Sequence, residues 1–231
     1  MAAESRPDQK LIGIFGGTFD PIHFGHLRMA EEVLEATPME ELRFIPARHP
    51  PHRSTPSATP DDRTRMLELA LHDGNPKLVI DRRELLRSGP SYTLDTLRDI
   101  RNETGQNRPL ALILGCDAFQ GFEGWHRWRE IPDLAHLIVI TRPGYAVEWP
   151  SALDRLLMER ETREPLDLEK WAAGCILLLN LTPLAISASG IRDRIREGRS
   201  IRYLTQSVVI DWINRNKLYR HPEDPFDPQK A

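Results

Sequence analysis

The chain has 231 residues, enough for one domain with a large buried core, and its 40% hydrophobic and 28% charged content is that of an ordinary globular protein. A net charge of −3 supplies no bulk basic surface for gripping duplex nucleic acid, so a nucleic-acid partner is not expected. Two cysteines, Cys116 and Cys175, are too few for a disulfide framework or a cysteine-based metal site and fit a reducing cytoplasm.

The first ten residues, MAAESRPDQK, lack the apolar core of a signal peptide and are expected to form a loose arm over 1–10. Short apolar runs then follow at 11–15 (LIGIF), 42–46 (LRFIP), 77–80 (KLVI), 110–114 (LALIL), 136–140 (HLIVI) and 175–179 (CILLL), each bounded by Gly, Pro or Asp, and these read as buried strands. Helical patterns lie between them at 25–36, 61–73, 93–104 and 151–160. Such alternation predicts an α/β fold with a doubly wound parallel sheet and helices on both faces. The stretch 46–62, PARHPPHRSTPSATPDD, is too polar for core and too long for a tight turn, and is expected to be a surface loop able to close over a ligand.

Beyond the last strand, Ile191 and Ile195 stand one turn apart and Val208, Val209, Trp212 and Ile213 repeat with a helical period, so the chain closes on a helical portion. Residues 221–231, HPEDPFDPQKA, have no periodicity and read as a flexible tail, leaving a single domain over 11–220. The longest apolar run, CILLLNL at 175–181, is far short of the roughly 20 residues that cross a bilayer, so no membrane partner is expected.

The chemistry concentrates just after the first strand, in GIFGGTFDPIHFGHLRMAEEV at 13–33. In an open parallel sheet the first strand-to-helix turn offers free backbone N–H groups to an anion. Gly16 and Gly17 let a phosphate approach the backbone, and Thr18 adds a hydroxyl. The spacing is neither the G-x-G-x-x-G of a dinucleotide fold nor a P-loop, which removes nicotinamide dehydrogenases and Walker-type ATPases. His23 and His26, three apart at a helix start, point together and can donate to one phosphate chain, carrying charge when protonated, while Gly25 between them keeps the approach open. No third His, Cys or carboxylate stands at a familiar zinc spacing, so direct metal ligation by side chains is not expected.

GGTFDPIHFGH resembles the signature of the HxGH nucleotidylyltransferases, and ISASGIR at 186–192 resembles the ISxTxIR motif that closes the triphosphate site in adenylyl transferases of that superfamily. Further matches are PPHR (50–53), RTRMLELA (63–70), SGPSYTLDTL (88–97), LGCDAF (114–119), HLIVITRPGY (136–145) and KLYR (217–220). Together they are similar to the bacterial nicotinate-nucleotide adenylyltransferases, which join nicotinate mononucleotide to the AMP portion of ATP and release pyrophosphate.

The resemblance implies a Rossmann-like fold, ATP and nicotinate mononucleotide as the small-molecule partners, and Mg²⁺ arriving with ATP. It assigns His23, His26 and Arg192 to catalysis on the ATP phosphates. Gly16, Gly17, Thr18 and Phe19 would lie against ATP, Ser187 and Ser189 would bind its triphosphate, and His52 and Arg53 would add phosphate contacts. Ser189 replaces the family's Thr and keeps the hydroxyl; Gly190 is expected to loosen that segment. On the nicotinate side it assigns Ser91, Tyr92 and Thr93, then Asp117, Trp125 as a stacking platform, His126 through its backbone amide, and Arg142. The first motif is shared with pantetheine-phosphate adenylyltransferases and glycerol-phosphate cytidylyltransferases, and a noncatalytic nucleotide-sensing module would use the same turn. The sequence leaves oligomeric state open, a homo-oligomer included.

Overall fold

The computed structural model describes residues 9–50, 55–141, 148–182 and 184–220. Strand and helix alternate as the apolar runs require: β1 (Leu11–Gly17), α1 (Phe24–Ala36), β2 (Met39–Pro46), α2 (Pro60–Leu71), β3 (Leu78–Ile80), α3 (Arg83–Leu86), α4 (Thr93–Thr104), β4 (Leu110–Gly115) and α5 (Cys116–Gln120). Two short 3-10 turns (Phe122–Gly124, Trp128–Glu130) lead to α6 (Ile131–Leu134), β5 (His136–Thr141), α7 (Ser151–Arg160), β6 (Glu161–Thr162), α8 (Asp167–Lys170), β7 (Ile176–Asn180), α9 (Ala188–Arg196) and α10 (Ser207–Arg215).

The sheet is wholly parallel, in the order β3-β2-β1-β4-β5-β7-β6. The chain walks outward from β1 to β3, then returns to place β4 on the other side of β1. That reversal opens a crevice at the carboxyl ends of β1 and β4, the place where sheets of this type take ligands.

Both faces are buried, which explains why the strands read as continuous apolar runs. Leu11 and Phe15 of β1, Ala111 and Ile113 of β4, and Ile138 and Ile140 of β5 share one core with Val33 of α1, Met66 of α2, Ile191 of α9 and Ile213 of α10. The intervening residues Ile12, Ile14, Leu112, Leu137 and Val139 turn to the opposite core, closed by Leu97 of α4, Ile131 of α6 and Leu153 of α7. Among the described residues no helix is long and apolar enough to cross a membrane.

The architecture departs from the sequence expectation in its small elements. Among the described residues seven strands form the sheet instead of six, because β6 is two residues, Glu161 and Thr162, with no apolar run to betray it. Helices α3, α5, α6 and α8 are four or five residues each, shorter than the window in which a helical period is readable. Neither cysteine forms a disulfide, and Cys116 is half-buried at the start of α5 rather than enclosed in the core.

At the amino ends of the strands, away from the crevice, a buried Arg101 knits the loops together. Its guanidinium donates to the carbonyls of Leu134, Gly105, Gln106, Arg108 and Ala172. With no carboxylate among these partners, burial lowers its pKa to about 10, which leaves it charged at neutral pH.

Nearby, the imidazole of the fully buried His136 bridges the Trp171 carbonyl at 2.9 Å through Nε2, while Nδ1 accepts from the Cys175 amide at 3.0 Å. Those partners fix one neutral tautomer, with the proton on Nε2. Burial lowers its pKa from 6.5 to about 4. The unfolded chain therefore binds a proton that the folded chain refuses between these two values, and stability falls as pH drops through that interval. The full contribution is on the order of 3 kcal/mol, at about 1.4 kcal/mol per pKa unit. Urea unfolding at pH 7.5 and 4.5 should show this loss, and His136→Gln should be less stable at pH 7.5 yet lose less on acidification.

Candidate active site

The turn after β1 is held by its own side chains. Phe19 sits at φ 49°, a left-handed conformation costly for a bulky residue, and is fixed there by ring contacts with Phe15, Phe44 and His26 at 5.2–5.7 Å. A Cβ on Gly17 would lie 2.7 Å from the Phe19 ring, so glycine is required by this packing, whereas Gly16 is exposed and a Cβ there would meet nothing within 4 Å. Of the two glycines, then, Gly16 leaves the open approach. Thr18 turns its carbonyl inward to Arg63 Nη1 at 2.6 Å.

His23 and His26 do come together. His23 is the extended residue that caps α1, not a helical residue, and its ring stacks on that of His26 with centroids 3.7 Å apart and planes 25° from parallel. Gly25 is what allows this. A Cβ there would stand 3.0 Å from His23 Nδ1 and 3.4 Å from the Ile186 carbonyl, so the space expected to be open is filled by the His23 ring and the ISASGIR backbone.

His23 is only 5% exposed, and burial lowers its pKa from 6.5 to about 4. Without an anion beside it, His23 is therefore neutral at pH 7 and offers an N–H rather than a charge.

The contact between Gly25 and Ile186 brings the start of α9 against the start of α1. Ser187 caps α9, its Oγ accepting from the Gly190 amide at 3.1 Å and lying 3.2 Å from Ser189 Oγ. A Cβ on Gly190 would crowd that Oγ at 3.1 Å; the glycine tightens the cap rather than loosening it. Two helix N-termini and a pair of hydroxyls thus converge, an arrangement that favours an anion. Arg192, in the second turn of α9, reaches back to the turn, with Nη1 donating to the Asp20 carbonyl at 2.7 Å and standing 3.8 Å from Asp20 Oδ2.

Of the residues assigned to the second substrate, those before α4 are tied to the end of β2 and to His126. Ser91 Oγ accepts from the amides of Arg48 and His49 at 3.1 and 3.3 Å, tying the segment before α4 to the end of β2. Tyr92 caps α4 and Thr93 begins it. The Tyr92 ring stacks on His126 at 4.4 Å, so the His126 side chain, and not its amide alone, joins the two segments. Trp125 is half-buried, its ring 5.4 Å from Phe122, and Asp117 is exposed in the first turn of α5 at the carboxyl end of β4. His52, Arg53 and Arg142 lie outside the described residues.

Sequence reasoning gave no role to the buried polar group behind the turn. Asp20, 4% exposed, accepts from the amides of Ser57 and Ala58 at 2.8 and 3.1 Å and from the Tyr219 hydroxyl at 2.8 Å. Arg63 beside it is wholly buried. A signal was available, since Arg63 shares its helix face with Met66, Leu67 and Ala70, at spacings of three, four and seven, and a charge in an apolar stripe is rarely idle.

A family model described as cytidylyltransferase-like matches residues 14–194, most of the chain and the crevice residues described above except Tyr219. The chain belongs to the cytidylyltransferase-like family. Within that family, a curated relative from Methylococcus capsulatus, named "Probable nicotinate-nucleotide adenylyltransferase", is 49% identical over 90% of this chain and 99% of its own length. A relative of the same name from Halorhodospira halophila is 47% identical over 94% and 99%. Among solved structures, the Plasmodium falciparum nicotinic acid mononucleotide adenylyltransferase complexed with NaAD superimposes with a TM-score of 0.70 at 19% identity, covering 91% of this chain and 97% of that one, and shares this family member's fold.

Gly25→Ala tests the packing of the histidine pair without reference to any activity. The added methyl should push the His23 ring out of its pocket, so that its pKa rises from about 4 toward 6.5, read from the imidazole C–H resonances in an NMR titration.

Proposed function

We propose that this member of the cytidylyltransferase-like family transfers the AMP portion of ATP to nicotinate mononucleotide, giving nicotinate adenine dinucleotide and pyrophosphate in NAD biosynthesis. The observation that carries the reading is the near-complete coverage of relatives so named at 49% and 47% identity. The geometry supports it, with an anion-favouring convergence of the α1 and α9 starts.

The nucleophile needs no activation, because the mononucleotide phosphate is already an anion. One of its oxygens attacks the α-phosphorus of ATP in line, the bond from that phosphorus to the α,β-bridging oxygen breaks, and pyrophosphate leaves with the electron pair. The protein holds two mutually repelling anions together and stabilises charge on the leaving group.

In this reading His23 and His26 donate to the triphosphate from the α1 side. Ser187, Ser189 and Arg192 do so from the α9 side, over the Gly16–Phe19 turn. A bound polyphosphate favours protonation of both histidines, so His23 gains its charge when the substrate arrives. Across the crevice, Trp125 stacks on the pyridine ring and backbone amides near Thr93 and His126 receive its carboxylate, with Ser91, Tyr92, Asp117 and Arg142 around the rest of the mononucleotide. His52 and Arg53 are proposed as added phosphate contacts.

Among the described residues no three His, Cys, Asp or Glu groups gather into a metal cage, and both Asp20 oxygens are already occupied by N–H and O–H donors. Mg²⁺ therefore fits as a companion of ATP, held by phosphate oxygens and water, and supplies charge neutralisation there.

Pyrophosphate release should appear with ATP and nicotinate mononucleotide; release only with phosphopantetheine would overturn the reading. In the same assay His26→Ala should lose on the order of 10²-fold in kcat, the size expected for a lost charge-stabilising donor, while a melting curve still shows a folded protein.

A further inference from the structure

Arg63 is a wholly buried charge that the proposed chemistry does not use. Its Nη1 donates to the Thr18 carbonyl, while Nε and Nη2 are buried without a hydrogen-bond partner among the described residues. Burial lowers its pKa, opposed chiefly by the charge of Asp20. A guanidinium spent on one neutral carbonyl is an expensive way to fill a core position that Met or Leu would fill without desolvation cost.

What the bond to Thr18 does follows from peptide geometry. The Thr18–Phe19 peptide is trans, so its C=O and N–H point in opposite directions. Drawing the carbonyl toward α2 turns the Phe19 N–H away from α2, and among the described residues no acceptor takes that N–H. Phe19 is also the residue held at φ 49°, a conformation that the backbone alone would leave. The ring contacts fix one side of this strained residue, and Arg63 fixes the peptide on the other.

We propose that Arg63 is a positioning residue for the phosphate turn: by pinning the Thr18 carbonyl it holds the unspent Phe19 N–H toward the ATP polyphosphate, with Asp20 as its counter-charge. This rests on the adenylyl-transfer reading for its substrate, but the effect on an anion at the turn can be measured without turnover. Arg63→Met removes the donor and keeps the volume, and Arg63→Lys restores a charged donor within reach of Thr18.

The test measures kcat and KM for both substrates by pyrophosphate release, binding of inorganic tripolyphosphate by calorimetry, and melting temperature, in the wild type and both variants. Arg63→Met should lose on the order of 10-fold or more in kcat and weaken tripolyphosphate by a similar factor, while KM for nicotinate mononucleotide stays within about twofold. Arg63→Lys should recover most of both losses. Wild-type kcat and tripolyphosphate binding in a folded Arg63→Met overturn the proposal, as does a loss that follows melting temperature in both variants and moves the two KM values together. If Arg63→Met fails to fold, Arg63→Lys decides, with a recovered melting temperature but unrecovered tripolyphosphate binding counting against the proposal. Wild-type protein that binds tripolyphosphate yet releases no pyrophosphate would refute the adenylyl-transfer reading and leave the calorimetric comparison to judge Arg63 alone.

Discussion

The crevice depends on one buried carboxylate. Asp20 receives two amides from the approach to α2 and a hydroxyl from Tyr219 near the end of the described chain, and its backbone carbonyl receives Arg192 from α9. Three stretches far apart in sequence thus meet at one residue of the first turn. A charge this deeply buried is tolerated only when its oxygens are spent on donors, and the donors here come from segments well separated along the chain.

The site's electrostatics are arranged by neutral groups more than by ionic ones. His23 is held uncharged by burial, Ser187 and Ser189 are hydroxyls, and the starts of α1 and α9 contribute backbone dipoles. Beside the fixed charge of Arg192, such a surface gains positive charge in response to an anion, since polyphosphate favours the protonated imidazole. The Asp20 cluster supplies rigidity behind this surface, and Thr205 and Phe24 extend it, donating to the carbonyls of Ile22 and Leu204 respectively.

The alternation of six apolar runs with helical patterns was enough to read a parallel sheet with two covered faces, because burial on both sides leaves a continuous signature. The GGTFDPIHFGH turn and ISASGIR were legible as two walls of one site, and the structure brings them into contact through Gly25 and Ile186. Three things were not legible. The two-residue β6 has no pattern of its own and exists because β7 offers an edge. The state of His23 depends on the depth of its burial, which residue identity does not disclose. Asp20 and Arg63 stood inside quoted motifs, yet their partners lie 37 or more residues away for Asp20 and 45 away for Arg63 Nη1, and no local spacing announces such pairings. Arg63 alone carried a visible clue, its place in the apolar stripe of α2.

The opposite end of the sheet shows how so many short helices persist. A four-residue helix cannot satisfy its own last carbonyls, and α6 is one, ending at Leu134. Leu134 gives its carbonyl to Arg101, as does Ala172 just beyond α8, and the loop after α4 contributes three more. One side chain therefore ties the end of α6 to the segments that follow α4 and α8. The chain is freed from building longer elements at its base, and variation around α6 and α8 is constrained less by helix propensity than by where the Leu134 and Ala172 carbonyls must point.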